Sequence, residues 1–228
     1  MNVFIRFLLI LVMCMLVYMI LNKFMQKYIQ NLSSILYKEA DAKKYIEKLN
    51  NWVGKLFFSK TTRSLMSIDA LLMLNDREKI EEIFERLDGV RMNPANRMGL
   101  AQKEISYYVD THQNEKALKA YSNLEAIAEK FKNPQVENVL KECTYQIEIY
   151  INHNTDLLDE MLDVASKMSN PFYEGVFLYR AAKLYYYKHD EVNCRKTLEK
   201  ALTKMKGTAW ENLINRILKE DLSLIAVK

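Results

Sequence analysis

An all-α chain is predicted by three observations. Five Gly and three Pro in 228 residues leave little turn chemistry for many short strands, whereas Leu, Lys, Glu, Ala and Met are plentiful. Apolar or small side chains recur in trios at the i, i+4, i+7 spacing that shares one helix face. A two-residue turn signal stands five residues before each trio. Together these predict antiparallel helix pairs stacked as a solenoid, preceded by a single transmembrane helix.

The membrane helix comes first. Residues 7–21, FLLILVMCMLVYMIL, carry no charge, and Val3, Phe4 and Ile5 extend the run across Arg6, whose long stem can reach toward headgroups. Residues 3–21 therefore approach the ~20 residues needed to cross a bilayer. A cleaved signal peptide would need small residues near Tyr18–Asn22, and none stands there, so residues 1–22 read as an uncleaved, single-pass anchor. The stretch ending at Cys14 resembles a lipoprotein box, but Met13 occupies the place of a small residue and the apolar run continues beyond it. Lys23, Lys27 and Lys38 against Arg6 favour a cytoplasmic position for the following domain. A basic residue ahead of an apolar core also begins the opposite orientation.

Residues 23–60 hold a juxtamembrane helix and a first, degenerate helix pair. Phe24, Tyr28, Leu32, Ile35 and Leu36 keep a helical period that ends near Ala40. The first trio is Tyr45, Leu49 and Trp52. Over residues 61–206 it recurs as Ile80, Phe84, Leu87; Ala117, Tyr121, Leu124; Leu158, Leu162, Ala165; and Cys194, Leu198, Ala201, at intervals of 35, 37, 41 and 36 residues. The preceding turn pairs are Ala40-Asp41, Asn75-Asp76, His112-Gln113, His153-Asn154 and His189-Asp190. Their first members suit a left-handed helix end, and Asp or Asn in second place suits an N-cap. Between pairs, Asn93-Pro94, Asn133-Pro134 and Asn170-Pro171 signal a cap followed by Pro at the first helical position. Residues 207–228 read as a capping helix that opens on a Thr208–Glu211 capping box and gathers Trp210, Leu213, Ile214, Ile217, Leu218 and Leu222 on one face.

The clearest copy, Leu178 to Ala201, resembles the tetratricopeptide repeat family. Leu178, Ala181-Ala182 and Tyr185, with Cys194, Leu198 and Ala201, follow the sizes of that pattern, and Ala101, Tyr108, Ala117 and Tyr121 keep part of it. The copy between them departs at Glu142 and Gln146, the family's closing Pro is displaced into the Asn-Pro pairs, and the spacings exceed the usual ~34 residues. The resemblance spans about Leu32 to Met205 and implies a right-handed solenoid whose first helices line a concave groove. In that register the groove shows Gln102, Lys103 and Ser106 in one copy and Tyr179, Lys183, Tyr186 and Tyr187 in another. Family members that grip chaperone tails use basic and amide side chains, whereas the matching places in the first copy hold Leu65 and Asp69. That specificity is not implied.

No chemistry competes with a binding role. A net charge of +4 from 33 basic and 29 interspersed acidic residues does not point to nucleic acid. Cys14, Cys143 and Cys194 form no metal or disulfide spacing and suit packing, with a lean toward a reducing compartment. His112, His153 and His189 hold equivalent places one repeat apart, so they do not converge on one reacting atom. His189 with Cys194 resembles a base and nucleophile, but Cys194 falls at the small inward position that packing needs. Acidic clusters at Glu81, Glu82, Glu85 and at Asp156, Asp159, Glu160 lie on helices whose other face is apolar, and read as solvated. The expectation is no catalysis, no cofactor and no metal, with a protein or peptide partner held beside Tyr and Lys. The alternative is a structural subunit of a membrane complex, or a self-associating domain, with no free groove.

Overall fold

The computed structural model describes the backbone of residues 3–226 and the side chains of residues 7, 8 and 10–226. The expected reach of Arg6, and residues 1, 2, 227 and 228 of the two terminal assignments, lie outside these. Among the described residues there are twelve α-helices and two short 3-10 turns, with no strand. The chain divides into two compact units, residues 1–100 and 101–228.

In the first unit, α1 (Val3–Tyr37) runs from the apolar stretch into a packed core. Its stretch Ile10–Tyr37 is long and apolar enough to cross a membrane. The side chains of Phe7, Leu8 and residues 10–21 are exposed, whereas Tyr28, Leu32, Ile35 and Leu36 are buried against Ala42, Tyr45, Leu49 and Ala70. The partners of that core come from α2 (Ala42–Leu49) and α4 (Lys60–Met73). The expected first trio breaks here. Tyr45 and Leu49 are buried, but Asn50 ends α2 and Asn51 caps a separate helix, α3 (Trp52–Phe57), by accepting from the Gly54 amide at 2.9 Å. Trp52 is therefore off the shared face and stands 75% exposed.

The α2–α3 corner is drawn tight onto α1. The Tyr28 hydroxyl donates to the Lys48 carbonyl at 2.5 Å and lies 3.1 Å from Asn51 Oδ1. A Cβ at Gly54 would stand 2.0 Å from the Leu49 carbonyl oxygen and 3.2 Å from the Tyr28 hydroxyl, and the first of these is backbone that cannot swing aside. Gly54→Ala is expected to cost about 2 kcal/mol of stability in chemical denaturation. An unchanged midpoint would show that the corner opens freely. The unit is completed by α5 (Arg77–Leu87), which buries Ile80, Ile83, Phe84 and Leu87, and by the first turns of α6 (Pro94–Asp110).

The second unit takes the rest of α6 and then α7 (Asn114–Lys130), α8 (Pro134–Tyr150), α9 (Leu158–Lys167), α10 (Pro171–Tyr187), α11 (Glu191–Lys204) and α12 (Ala209–Lys219). A 3-10 turn, Thr155–Leu157, leads into α9, and a second, Leu222–Ile225, follows α12. Cys194, Leu198 and Ala201 of α11 share a core with Tyr179 and Ala182 of α10 and with Ile214 and Ile217 of α12. The second core joins Tyr145 and Ile149 of α8 to Leu158 and Met161 of α9 and to Ala181 and Leu184 of α10. Cys143 and Cys194 are fully buried, while Cys14 is exposed on the apolar part of α1.

The turns follow the sequence closely. Among the described residues the non-glycine positions with positive φ are Ala40, Asn75, His112, His153 and His189, at 52° to 58°, and these are the five expected helix ends. At three of them the ladder closes as a Schellman motif: His189 donates to Tyr186 and Asp190 to Tyr185, with the same pattern at Asn75-Asp76 and His112-Gln113. The residue after each left-handed position then caps the next helix. Asp41, Asp76 and Asp190 accept from amides three residues on and Asn154 from one two residues on, while Gln113 makes no side-chain cap. Asn93, Asn133 and Asn170 cap α6, α8 and α10 ahead of their Pro residues.

Two expectations fail at the carboxyl-terminal end. Thr208 makes no cap: its hydroxyl donates back to the Met205 carbonyl at 2.7 Å, and Glu211 accepts instead from the amide of Gly207 at 2.7 Å. Gly207 has a φ of +76°, which places its N–H where the reciprocal bond of a capping box would otherwise be made from Thr208. Nor does the last helix continue through Leu222. Asp221 accepts from both the amide and the hydroxyl of Ser223, and so starts a new turn.

Candidate functional site

The residues expected to line a groove all belong to the second unit or its part of α6. Helix α10 is where the structure departs most from an open concave face. From Leu178 to Leu184 every residue is buried, nearly two full turns, so all sides of the helix are covered there. A one-sided apolar pattern would have left a face free. Helices α9 and α11 pack against α10. The face expected to be open is covered by the chain's own α12 and the turn Leu222–Ile225.

Tyr179 and Lys183 thus occupy the expected face but do not line an open groove. Each is 1% exposed. The Tyr179 ring meets Trp210 edge-on at 5.1 Å, and burial pushes its phenol well above the ordinary range. Lys183 donates to the carbonyl of Ile225 at 2.6 Å and reaches that of Ala226 at 3.4 Å. Its ammonium also lies 4.6 Å from the Tyr150 ring centre and 6.0 Å from that of Tyr187. Burial lowers its pKa to about 8, and the charge of Asp110 opposes that shift.

The remaining groove residues are partly buried. Tyr187 stacks on His153 at 4.1 Å, and its hydroxyl is buried without a hydrogen-bond partner. Burial raises its phenol to about 12. Tyr186 meets Tyr187 edge-on at 6.1 Å, so Lys183, Tyr186 and Tyr187 are neighbours. On α6, Ser106 donates to Gln146 of α8 at 3.0 Å, which ties it to that helix rather than to the α10 tyrosines. Gln102 and Lys103 stand near it on α6, half-buried.

Sequence reasoning missed a polar ladder that links α6, α8 and α10. Glu142 and Gln146, which fit the repeat pattern poorly, lie one turn apart on α8. Gln146 accepts from Ser106 of α6, and Glu142 takes both guanidinium arms of Arg180 on α10. Arg180 is 5% exposed and lies over the Phe177 ring at 5.2 Å. The misfits were themselves the signal, because a polar side chain on a buried face needs a partner on the facing helix.

Other titratable groups are committed to local contacts. An open cleft of about 350 Å³ is lined by Glu137, Leu140, Lys141, Thr144, Tyr145, Leu157 and Glu160. Within it Glu160 takes the Lys141 ammonium at 3.0 Å and the Tyr145 hydroxyl at 2.5 Å, and these bonds hold its carboxyl below the usual range. Burial raises the Cys194 thiol to about 11 and the Cys143 thiol to about 12, the reverse of an activated nucleophile. Among the described residues no three His, Cys, Asp or Glu side chains gather as a metal site. No family, curated protein or solved structure matches the chain.

Proposed function

We propose that this chain is a non-catalytic, membrane-anchored helical-repeat adaptor, tetratricopeptide-like in its stacking, that holds a protein partner at a membrane surface. The observation that carries this reading is the recurrence of one left-handed turn at Ala40, Asn75, His112, His153 and His189, each followed by a new helix at near-constant spacing. A chain that repeats one helix–turn–helix unit builds a stacked array, and arrays of that kind present extended binding surfaces. Helix α1 supplies the anchor, and Lys23, Lys27 and Lys38 argue for a cytoplasmic repeat domain. Partner contact belongs at Gln102, Lys103, Ser106, Tyr186 and Tyr187, which keep some exposure.

A second reading has its own support. The covering of Tyr179 and Lys183 by residues 209–225 favours a structural subunit or a self-associating domain without a free groove along α10. Photo-cross-linking residues placed at Gln102 and Tyr186 of the full chain in cells separate the two. The adaptor gives adducts to one different protein from both sites, and a cross-linker at the exposed control position, Glu199, does not capture it. Adducts only between copies of this chain would sink the adaptor and leave self-association.

A further inference from the structure

We propose that α3 seats the protein on the bilayer: Trp52 and Leu56 insert at the boundary between headgroups and acyl chains of the membrane that α1 crosses, with Lys23, Lys27 and Lys55 on anionic headgroups. The inference rests on the anchor reading of α1.

Geometry places α3 at the right depth. The uncharged run of α1 ends at Leu21, and at 1.5 Å per residue Phe24 lies about 5 Å further along the axis. The headgroup layer on each side of a ~30 Å hydrocarbon core is roughly 5–7 Å thick, so Phe24 falls within it. Helix α3 is held beside that point: the Phe57 ring stands 5.8 Å from Phe24 and 6.2 Å from Tyr28. The bonds from Tyr28 to Lys48 and Asn51 fix the corner from which α3 departs. A six-residue helix clamped there cannot stand far from the lipid.

Its exposed chemistry matches a lipid surface. Trp52 and Leu56, one turn apart on the same face, are 75% and 68% exposed, and Phe24, which meets Phe57 of the same helix, is also exposed. Nothing in the first unit's core uses them. Tryptophan is the side chain most at home at that boundary, because its ring is apolar and its N–H wants a polar neighbour. The charge is one-sided as well. From residue 3 to residue 38 there is no acid, and between Lys48 and Ile68 the chain carries Lys48, Lys55, Lys60 and Arg63 with no Asp or Glu. Lys23, Lys27 and Lys55 are all exposed. A protein partner would need a matching acidic, apolar face at the same depth. The bilayer already supplies one.

The full chain carrying Trp210→Phe has Trp52 as its sole tryptophan and serves as the reporter. It is reconstituted into phosphatidylcholine vesicles with a minority of phosphatidylserine, the acyl chains brominated either close to the headgroup or near their ends. Shallow bromines are expected to quench Trp52 roughly twofold and deep ones much less. The difference between the wild-type chain and Trp52→Phe reads the same quantity with Trp210 in place. A chain that floats with the vesicles and resists alkaline extraction, yet shows equal emission with and without bromine, overturns the seating and leaves the anchor standing. Emission that ignores bromine but changes with the protein-to-lipid ratio overturns it in favour of a second copy covering α3. A chain that does not float overturns both readings.

Discussion

Glu142→Ala is expected to lose about 3–5 kcal/mol of stability, more than truncating its partner. Arg180 is 5% exposed, its two terminal nitrogens both donate to the Glu142 carboxylate, and its Nε has no partner at all. Removing the acid strands a cation on an inner face of α10, where the Tyr150 hydroxyl and the Phe177 ring at 5.2 Å offer only partial compensation. Glu142 is more exposed, with 37% of its side chain accessible, so Arg180→Met lets the acid return to water while the thioether fills the space of the stem. The asymmetry is the diagnostic feature. The double variant Glu142→Ala, Arg180→Met should recover most of the loss, because no charge is then left buried. Denaturant midpoints of the detergent-solubilised chain measure all three. A Glu142→Ala cost below 1 kcal/mol would place the pair among surface bridges and remove the ladder as an organiser of α6, α8 and α10.

The same pair shows which parts of the molecule the sequence could and could not disclose. Helix ends were legible because their chemistry is local: a left-handed residue followed by an Asp or Asn cap uses neighbours two or three positions away, and Ala40, Asn75, His112, His153 and His189 behave as expected. Inward faces were legible where one helix period ran unbroken, as for Ile80, Phe84 and Leu87 or Cys194, Leu198 and Ala201. Trp52 failed that test because two consecutive Asn residues stop one helix and start another, and a period cannot be carried across a broken helix. The capping box failed for a related reason, since a positive φ at Gly207 moved the donor by one residue.

The gathering of tyrosines around Lys183 was legible, but their accessibility was not. Tyr179, Lys183, Tyr186 and Tyr187 do gather around one stretch of α10 with Tyr150 of α8. What covers Tyr179 and Lys183 lies 31 and 42 residues further along the chain, at Trp210 and Ile225, and no local pattern announces that Leu222–Ile225 folds back onto α10. A sequence shows that Lys183 stands among tyrosines. It does not show that Trp210 and the carbonyl of Ile225 reach them first.

That placement of Lys183 gives a pH dependence of definite sign. Burial lowers its folded pKa to about 8, whereas in the unfolded chain it returns to 10.5. Below pH 8 both states carry the charge, and the folded state bears the full cost of holding an ammonium out of water. Between pH 8 and 10.5 the folded protein releases the proton while the unfolded chain keeps it, so stability rises with pH. The stability of the wild-type chain relative to Lys183→Met is therefore expected to increase by about 2–3 kcal/mol from pH 7 to pH 10. Taking the difference matters, because Cys194 and Cys143, with pKa values raised by burial, pull stability the other way above pH 9 in both proteins. The variant also leaves the Ile225 carbonyl without its donor, so the turn Leu222–Ile225 loses its hydrogen bond to α10 and keeps its packing through the buried Leu222 and Ile225 side chains. Amide exchange in that turn should be faster in Lys183→Met than in the wild type at neutral pH. Parallel stability curves from pH 7 to 10, together with equal exchange, would mean that Lys183 neither titrates in the fold nor fastens the segment that closes the α10 face. That face would then be free to open for a partner.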